Sequence, residues 1–254
     1  MPGTLTIVGT GIKLGGHITA EAEAHIKQAD KVFFVVANKL TADWIRSLNP
    51  SAESLASHYS YGKNRCKTYQ GMVDAILAAV RAGLRTVAVF YGHPGVFVTP
   101  SLAAIKQARS EGYSAEMLPG ISAEDCLYAD LLIDPAKVGG QSFEATDFLI
   151  HERRFDPHSV LILWQIAVIG EQVMPDVANR PNLGILTKVL LETYSAEHPV
   201  TIYEAAQLAI QSPRIERLKL NQLPDAHVST ISTLVISPLP NKTPNKAMMA
   251  RIGM

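Results

Sequence analysis

The feature that most constrains what this chain can fold into is a set of short runs that are apolar at nearly every position. Leu5–Val8, Lys31–Val36 and Thr86–Phe90 are of this kind. A strand covered on one face alternates apolar and polar residues, whereas a strand covered on both faces reads continuously. Between the runs the period changes to that of a helix. Thr19 is a suitable N-cap for a helix reaching about Lys27, and Met72, Ile76, Ala79 and Val80 mark a buried stripe within Tyr69–Ala82. Ser101–Glu111 reads as a further helix and Ala115–Leu118 as a further strand. Strand, helix and strand in repeated succession predict a parallel α/β sheet for the first domain.

Pro119-Gly120 is a turn signal and the expected domain junction. Beyond it come a helix at about Ser122–Leu132 and strand-like runs at Ser142–Glu144, Val160–Trp164, Val200–Tyr203, Arg214–Leu218 and Thr230–Ile236. One helix, roughly Leu183–Tyr194, separates two of these. Strands that follow one another with few helices imply a mixed sheet, so the second domain is α/β with another topology. The expected division is 1–118, 119–238 and a loose Pro-, Lys- and Met-rich arm at 239–254.

The 254 residues are enough for a sizeable core. Twenty-three Lys and Arg balance 23 Asp and Glu, so the basic excess of a nucleic-acid-binding surface is missing. No apolar run approaches the ~20 residues of a membrane span. The opening MPGTLTIVGTG has no basic segment of a signal peptide. Two cysteines, Cys66 and Cys126, are too few for a disulfide framework. His17, His58, His151, His158, His198 and His227 show no metal-ligand spacing and read as surface or capping residues. These observations together predict a cytoplasmic, metal-free protein.

Three glycine turns carry the functional signal. Gly9-Thr10-Gly11 follows the first strand, but a dinucleotide fingerprint requires a third glycine where Leu14 stands, and an acidic residue about twenty positions on. A tight turn after a buried strand accounts for these glycines equally well. Tyr91-Gly92-His93-Pro94-Gly95-Val96-Phe97 lies at the carboxyl end of a parallel strand, where open α/β sheets place ligands. It reads either as backbone brought close to a flat ligand or as a turn with a satisfied histidine. Gly120-Ile121-Ser122-Ala123-Glu124 opens a helix whose free N–H groups suit a ligand, although capping alone explains Ser122.

In order and spacing, from Leu5 to about Val235, these turns resemble those of the tetrapyrrole methylases. The resemblance implies a two-domain fold with S-adenosylmethionine bound in the cleft between the domains, leaving S-adenosylhomocysteine as product. VFYGHPGVF (Val89–Phe97), MLPGISAED (Met117–Asp125), QSFEAT (Gln141–Thr146), LWQ (Leu163–Gln165) and IST (Ile231–Thr233) look more specifically like the borosin methyltransferases, which N-methylate backbone amides of a ribosomal peptide. The fungal enzymes of that group carry their peptide at the C-terminus. The tail after Pro238 has no long apolar core, so it resembles the split bacterial type, which acts on a separate precursor. The family also implies a homodimer.

Family enzymes carry a Tyr, an Arg six residues later and a Tyr four beyond that; Tyr59, Arg65 and Tyr69 match, with Lys67 where the family often has Asp. Tyr91 matches a further active-site tyrosine. For the cofactor the resemblance points to Gly9, Gly11, Tyr91, His93, Val96, Ser122, Ala123, Gln165, Tyr203, Ala205, Ser232 and Thr233. An amide nitrogen is a poor nucleophile because its lone pair is delocalised into the carbonyl. A tyrosine beside a guanidinium is a plausible base, since the permanent positive charge favours the phenolate. Arg65 and Tyr69, four apart, share a helix face if the helix begins early enough. Without the family the same residues read as loop aromatics and a solvated helix start. The rival readings are a small-molecule methyltransferase of the same superfamily, which has no need of Tyr59, Arg65 and Tyr69, and an inert cofactor- or peptide-binding subunit.

Overall fold

The computed structural model describes residues 2–36, 38–58, 65–171, 180–240 and 243–254. In chain order the first elements are β1 (Thr4–Gly9), α1 (Ala20–Gln28), β2 (Lys31–Val35), α2 (Lys39–Leu48), β3 (Glu53–Ser54), α3 (Arg65–Arg81), β4 (Arg85–Phe90), α4 (Thr99–Ser110), β5 (Ser114–Met117) and α5 (Ala123–Leu131). There follow α6 (Pro135–Val138), β6 (Gly140–Glu144), α7 (Ala145–Ile150), β7 (Val160–Trp164), α8 (Arg180–Leu191), β8 (Pro199–Glu204), β9 (Arg214–Lys219), β10 (Thr233–Ile236) and α9 (Lys246–Arg251). Two compact units result, Met1–Ala129 with Ala205–Ser212, and Asp130–Glu204 with Pro213–Met254. The division falls within α5, with Ala123–Ala129 in the first unit and Asp130 and Leu131 in the second, beyond the turn at Pro119-Gly120.

The first unit is built on a parallel sheet of order β3-β2-β4-β1-β5. On one face Leu5, Ile7, Phe33, Ala88 and Phe90 pack with Met72, Ile76, Leu77 and Val80 of α3 and Ala104 and Ala108 of α4. On the other face Val8, Val32, Phe34, Val87 and Val89 pack with Ala22 and Ile26 of α1 and Ile45 of α2. Burial on both faces is what made the strands continuously apolar. Removing one such side chain, as in Ile7→Ala, costs about 2–5 kcal/mol. The helices start where side chains can satisfy free N–H groups. Thr19 Oγ1 accepts from Ala22 N (3.1 Å), and Asn38 Oδ1 accepts from Thr41 N (2.9 Å). Helix α2 escaped the sequence reading.

The second unit holds a mixed sheet of order β6-β7-β10-β8-β9, in which β6 and β7 are parallel and the other neighbours antiparallel. Its core joins Leu161, Leu163, Ile202 and Leu234 to Leu183, Leu186 and Leu190 of α8. Two expectations need correction. The 239–254 arm is not simply loose: Leu239 N donates to Pro157 O (2.8 Å), and α9 is capped by Asn245, which accepts from Met248 N (3.1 Å). His198 is not a surface residue. It is buried against Tyr194, with ring centroids 4.6 Å apart, and its Nε2 bonds Ser237 O at 2.7 Å. Among the described residues no helix is long and apolar enough to cross a membrane.

Candidate functional site

Because β1, β4 and β5 are parallel, with Gly9 opposite Phe90 and Ile7 opposite Met117, the three turns leave the sheet at the same end. There they meet backbone to backbone. Gly11 and Gly92 exchange hydrogen bonds, Gly11 N to Gly92 O at 3.3 Å and Gly92 N to Gly11 O at 3.1 Å. A Cβ on Gly9 would lie 2.1 Å from Gly92 O, and one on Gly120 would lie 3.4 Å from the same oxygen. Gly11 has φ +65, and a Cβ there would lie 2.2 Å from His17 Cβ. The contacts at Gly9 and Gly11 require glycine whether or not a ligand binds. What tertiary structure adds is the convergence of three separate motifs on one place.

Tyr91 and His93 stand in the middle turn. Burial, with Cys126 nearby, pushes the Tyr91 hydroxyl up to about 12. Tyr91 is therefore a phenol at neutral pH, able to donate a hydrogen bond but unsuited as a base. His93 Nδ1 accepts from Gly95 N (2.9 Å), so the neutral ring carries its proton on Nε2 as a further donor. Val96 and Phe97 are exposed apolar residues ending the turn, and Phe97 takes a left-handed conformation at φ 56. Ser122 is used structurally. Its Oγ accepts from Asp125 N (3.2 Å), while Ser122 N donates to Asp125 Oδ2 (2.6 Å). This reciprocal cap opens α5 at Ala123.

Helix α3 begins at Arg65, four residues before the expected start, so Arg65 and Tyr69 stand one turn apart on it. Tyr69 is half-buried against the core of the first unit. Tyr59 and the Arg65 side chain lie outside the described residues. His17, expected from sequence to be a surface or capping residue, is half-buried; its Nδ1 accepts from Lys13 N at 3.2 Å and lies 3.8 Å from Cys126 Sγ.

In the second unit the expected residues also gather at one end of the sheet. Gln165 follows β7, Ser232 precedes β10, Glu204 ends β8 and Arg214 opens β9. The registers Leu234↔Leu163, Thr233↔Tyr203 and Glu204↔Arg214 place them in one polar row. Gln165 is left-handed (φ 60, ψ 34), a conformation that strains a side chain. Ser232 is only 1% exposed and donates its proton to Glu204. Thr233 is buried in the sheet beside Tyr203, whose hydroxyl donates to Asp130 Oδ2 at 2.7 Å. Ala205 directly follows β8 in the chain. Glu204 was missed by sequence reasoning. The available signal was a carboxylate ending an apolar strand, the same pattern that singled out Gln165. In chemistry this row of the second unit offers an amide and a carboxylate that can accept hydrogen bonds.

The chain matches the Tetrapyrrole (Corrin/Porphyrin) Methylases family over residues 4–223 and belongs to it. Among curated proteins it is 46% identical to the methyltransferase/ribosomally synthesized cyclic peptide gymnopeptides precursor of Gymnopus fusipes, over 99% of this chain and 61% of that protein. It is 42% identical to the corresponding omphalotin A precursor of Omphalotus olearius, over 99% of this chain and 62% of that protein. The chain thus spans about three fifths of the length of these relatives, which by name are fungal and join methyltransferase and precursor. Among solved structures it resembles the uroporphyrin-III-C-methyltransferase of Thermus thermophilus (TM-score 0.65, 18% identity, 93% of each chain). It also resembles cobalt precorrin-4 methyltransferase (TM-score 0.66, 17% identity, 92% of this chain and 94% of that one). The two-domain α/β architecture, with one parallel and one mixed sheet, is that of these structures.

Proposed function

We propose that this chain is an S-adenosylmethionine-dependent methyltransferase acting on backbone amide nitrogens of a ribosomally made peptide. The observation that carries the reading is the 46% identity, over 99% of the chain, to a relative named as methyltransferase and cyclic-peptide precursor. The convergence of Tyr91, His93 and the three glycine turns at the carboxyl end of the first sheet supports it. When bound, the cofactor supplies an electrophilic methyl group. The protein's part is to make the amide nitrogen reactive. Tyr69, one helical turn from Arg65, takes the N–H proton. Tyr91 stays protonated and donates to the peptide carbonyl oxygen, where charge accumulates as the N–H proton leaves. Tyr59 shares in holding that carbonyl. Gly9, Gly11, His93, Val96, Ser122 and Ala123 of the first unit and Gln165, Tyr203, Ser232 and Thr233 of the second, with Ala205, are the proposed cofactor residues.

A separate precursor and a homodimer complete the proposal. The experiment is tandem mass spectrometry of the chain incubated with cofactor, alone and with a candidate precursor. Methylene increments on backbone nitrogens of the added peptide support the reading. Increments on the chain itself place the peptide in cis, as the relatives' names do. Increments on side chains remove the backbone-amide reading, and turnover only on small molecules favours the rival enzyme. Sedimentation or light scattering decides the dimer.

A further inference from the structure

At the end of β8, Glu204 receives three donors on a single carboxylate oxygen. Oε1 accepts from Ser229 Oγ (2.9 Å), from Arg214 Nη1 (2.9 Å) and from Ser232 Oγ. Among the described residues no donor falls on Oε2. Ser232 Oγ in turn accepts from Ser229 N (2.8 Å), so the 229–232 turn and the carboxylate hold one another. Arg214 is itself fixed, donating also to Glu216 and to His227 O (2.7 Å). Burial alone would raise the Glu204 carboxyl, but the hydrogen bonds from Ser232, Ser229 and Arg214 hold it below the usual glutamate range. The side chain is 17% exposed. It is therefore an ionised carboxylate, immobilised through one oxygen, with the lone pairs of the other left over. A purely structural ion pair has no need to gather three donors on one atom and leave its partner open.

We propose that Glu204 is a cofactor-binding residue whose Oε2 accepts hydrogen bonds from the ribose hydroxyls, and that Ser232 acts through it. This rests on the cofactor reading above. Its place supports it, for Glu204 lies in the same row as Gln165 and Ser232, at the end where β6, β7 and β8 present their carboxyl termini. A carboxylate at a strand's carboxyl end is a common acceptor for a ribose diol. It also reconciles Ser232, expected to touch the cofactor, with a hydroxyl that is buried and already committed to Glu204.

The test measures calorimetric dissociation constants for S-adenosylhomocysteine and its 2′-deoxy and 3′-deoxy analogues. The protein is wild type, Glu204→Gln, Glu204→Ala or Ser232→Ala, and thermal melts check folding. Wild type is expected to bind at least one deoxy analogue about tenfold or more weakly than the parent, the worth of a charge-assisted hydrogen bond. Glu204→Ala is expected to bind parent and analogue alike, with Glu204→Gln and Ser232→Ala in between. If Glu204→Ala does not fold, the shrinking penalty in Glu204→Gln and Ser232→Ala carries the test. A deoxy penalty absent in wild type, or undiminished in the folded variants, overturns the assignment and leaves the cofactor reading intact. Wild-type protein that binds neither S-adenosylmethionine nor S-adenosylhomocysteine overturns both.

Discussion

Replacing Gln165 by glycine separates strain from binding. Gln165 holds φ 60 and ψ 34 at the end of β7, and among the described residues its amide makes no hydrogen bond. A non-glycine residue in the left-handed region costs roughly 1–2 kcal/mol. Glycine escapes that cost but loses about 0.5–1 kcal/mol more conformational entropy on folding. The balance for Gln165→Gly is therefore about 0–1.5 kcal/mol of added stability, seen as a rise in Tm of up to about 6 °C for a chain of this size. The amide is lost at the same time, and the affinity for S-adenosylhomocysteine should fall about tenfold. Gln165→Ala keeps the strain and loses the amide, so it should bind equally weakly without the gain in Tm. Thermal melts and titration calorimetry on the three proteins provide both readouts. Opposite signs for stability and binding mark strain kept for function. A Gln165→Gly protein destabilised by more than about 1 kcal/mol, or one with wild-type affinity, would refute the reasoning.

Tyr69→Phe keeps the ring and its packing while removing the hydroxyl, so turnover should drop by about 10²–10⁴ with cofactor affinity little changed; single-turnover kinetics at saturating cofactor and peptide decide it. Since burial pushes Tyr91 up to about 12, it stays protonated across the neutral range. Tyr91→Phe should then lower the rate about 10²–10³-fold without altering the shape of the pH–rate profile between about pH 7 and 9, whereas an alkaline limb that vanishes in the variant would make Tyr91 the base. Gly9→Ala puts a Cβ 2.1 Å from Gly92 O and should cost about 1–3 kcal/mol or more in chemical denaturation. Gly184→Ala, in the interior of α8 with nothing within 4 Å, should instead stabilise by about 0.5–1 kcal/mol.

Much of this protein was legible before any coordinates, because the legible parts depend on local chemistry. Continuous apolar strands declare burial on both faces, and Thr19 declares a helix start, since each signal lies within a few residues. The βαβ order then implies a parallel sheet almost without choice. Helix α2 was missed although Thr41, Ala42, Trp44, Ile45 and Leu48 stand at helical spacing and pack toward the core. Helix α9 was missed because none of its residues is buried. Ser122 showed in sequence both as a cap and as a ligand residue, and the cap is visible in its bonds to Asp125. What only tertiary structure decided was which distant residues meet. Gly9, Gly92 and Gly120 are separate turns along the chain, brought together by strand registry. Glu204 draws donors from Arg214, Ser229 and Ser232 on two neighbouring segments of the sheet. Its charge state follows from those partners, which no reading of its own neighbours along the chain contains.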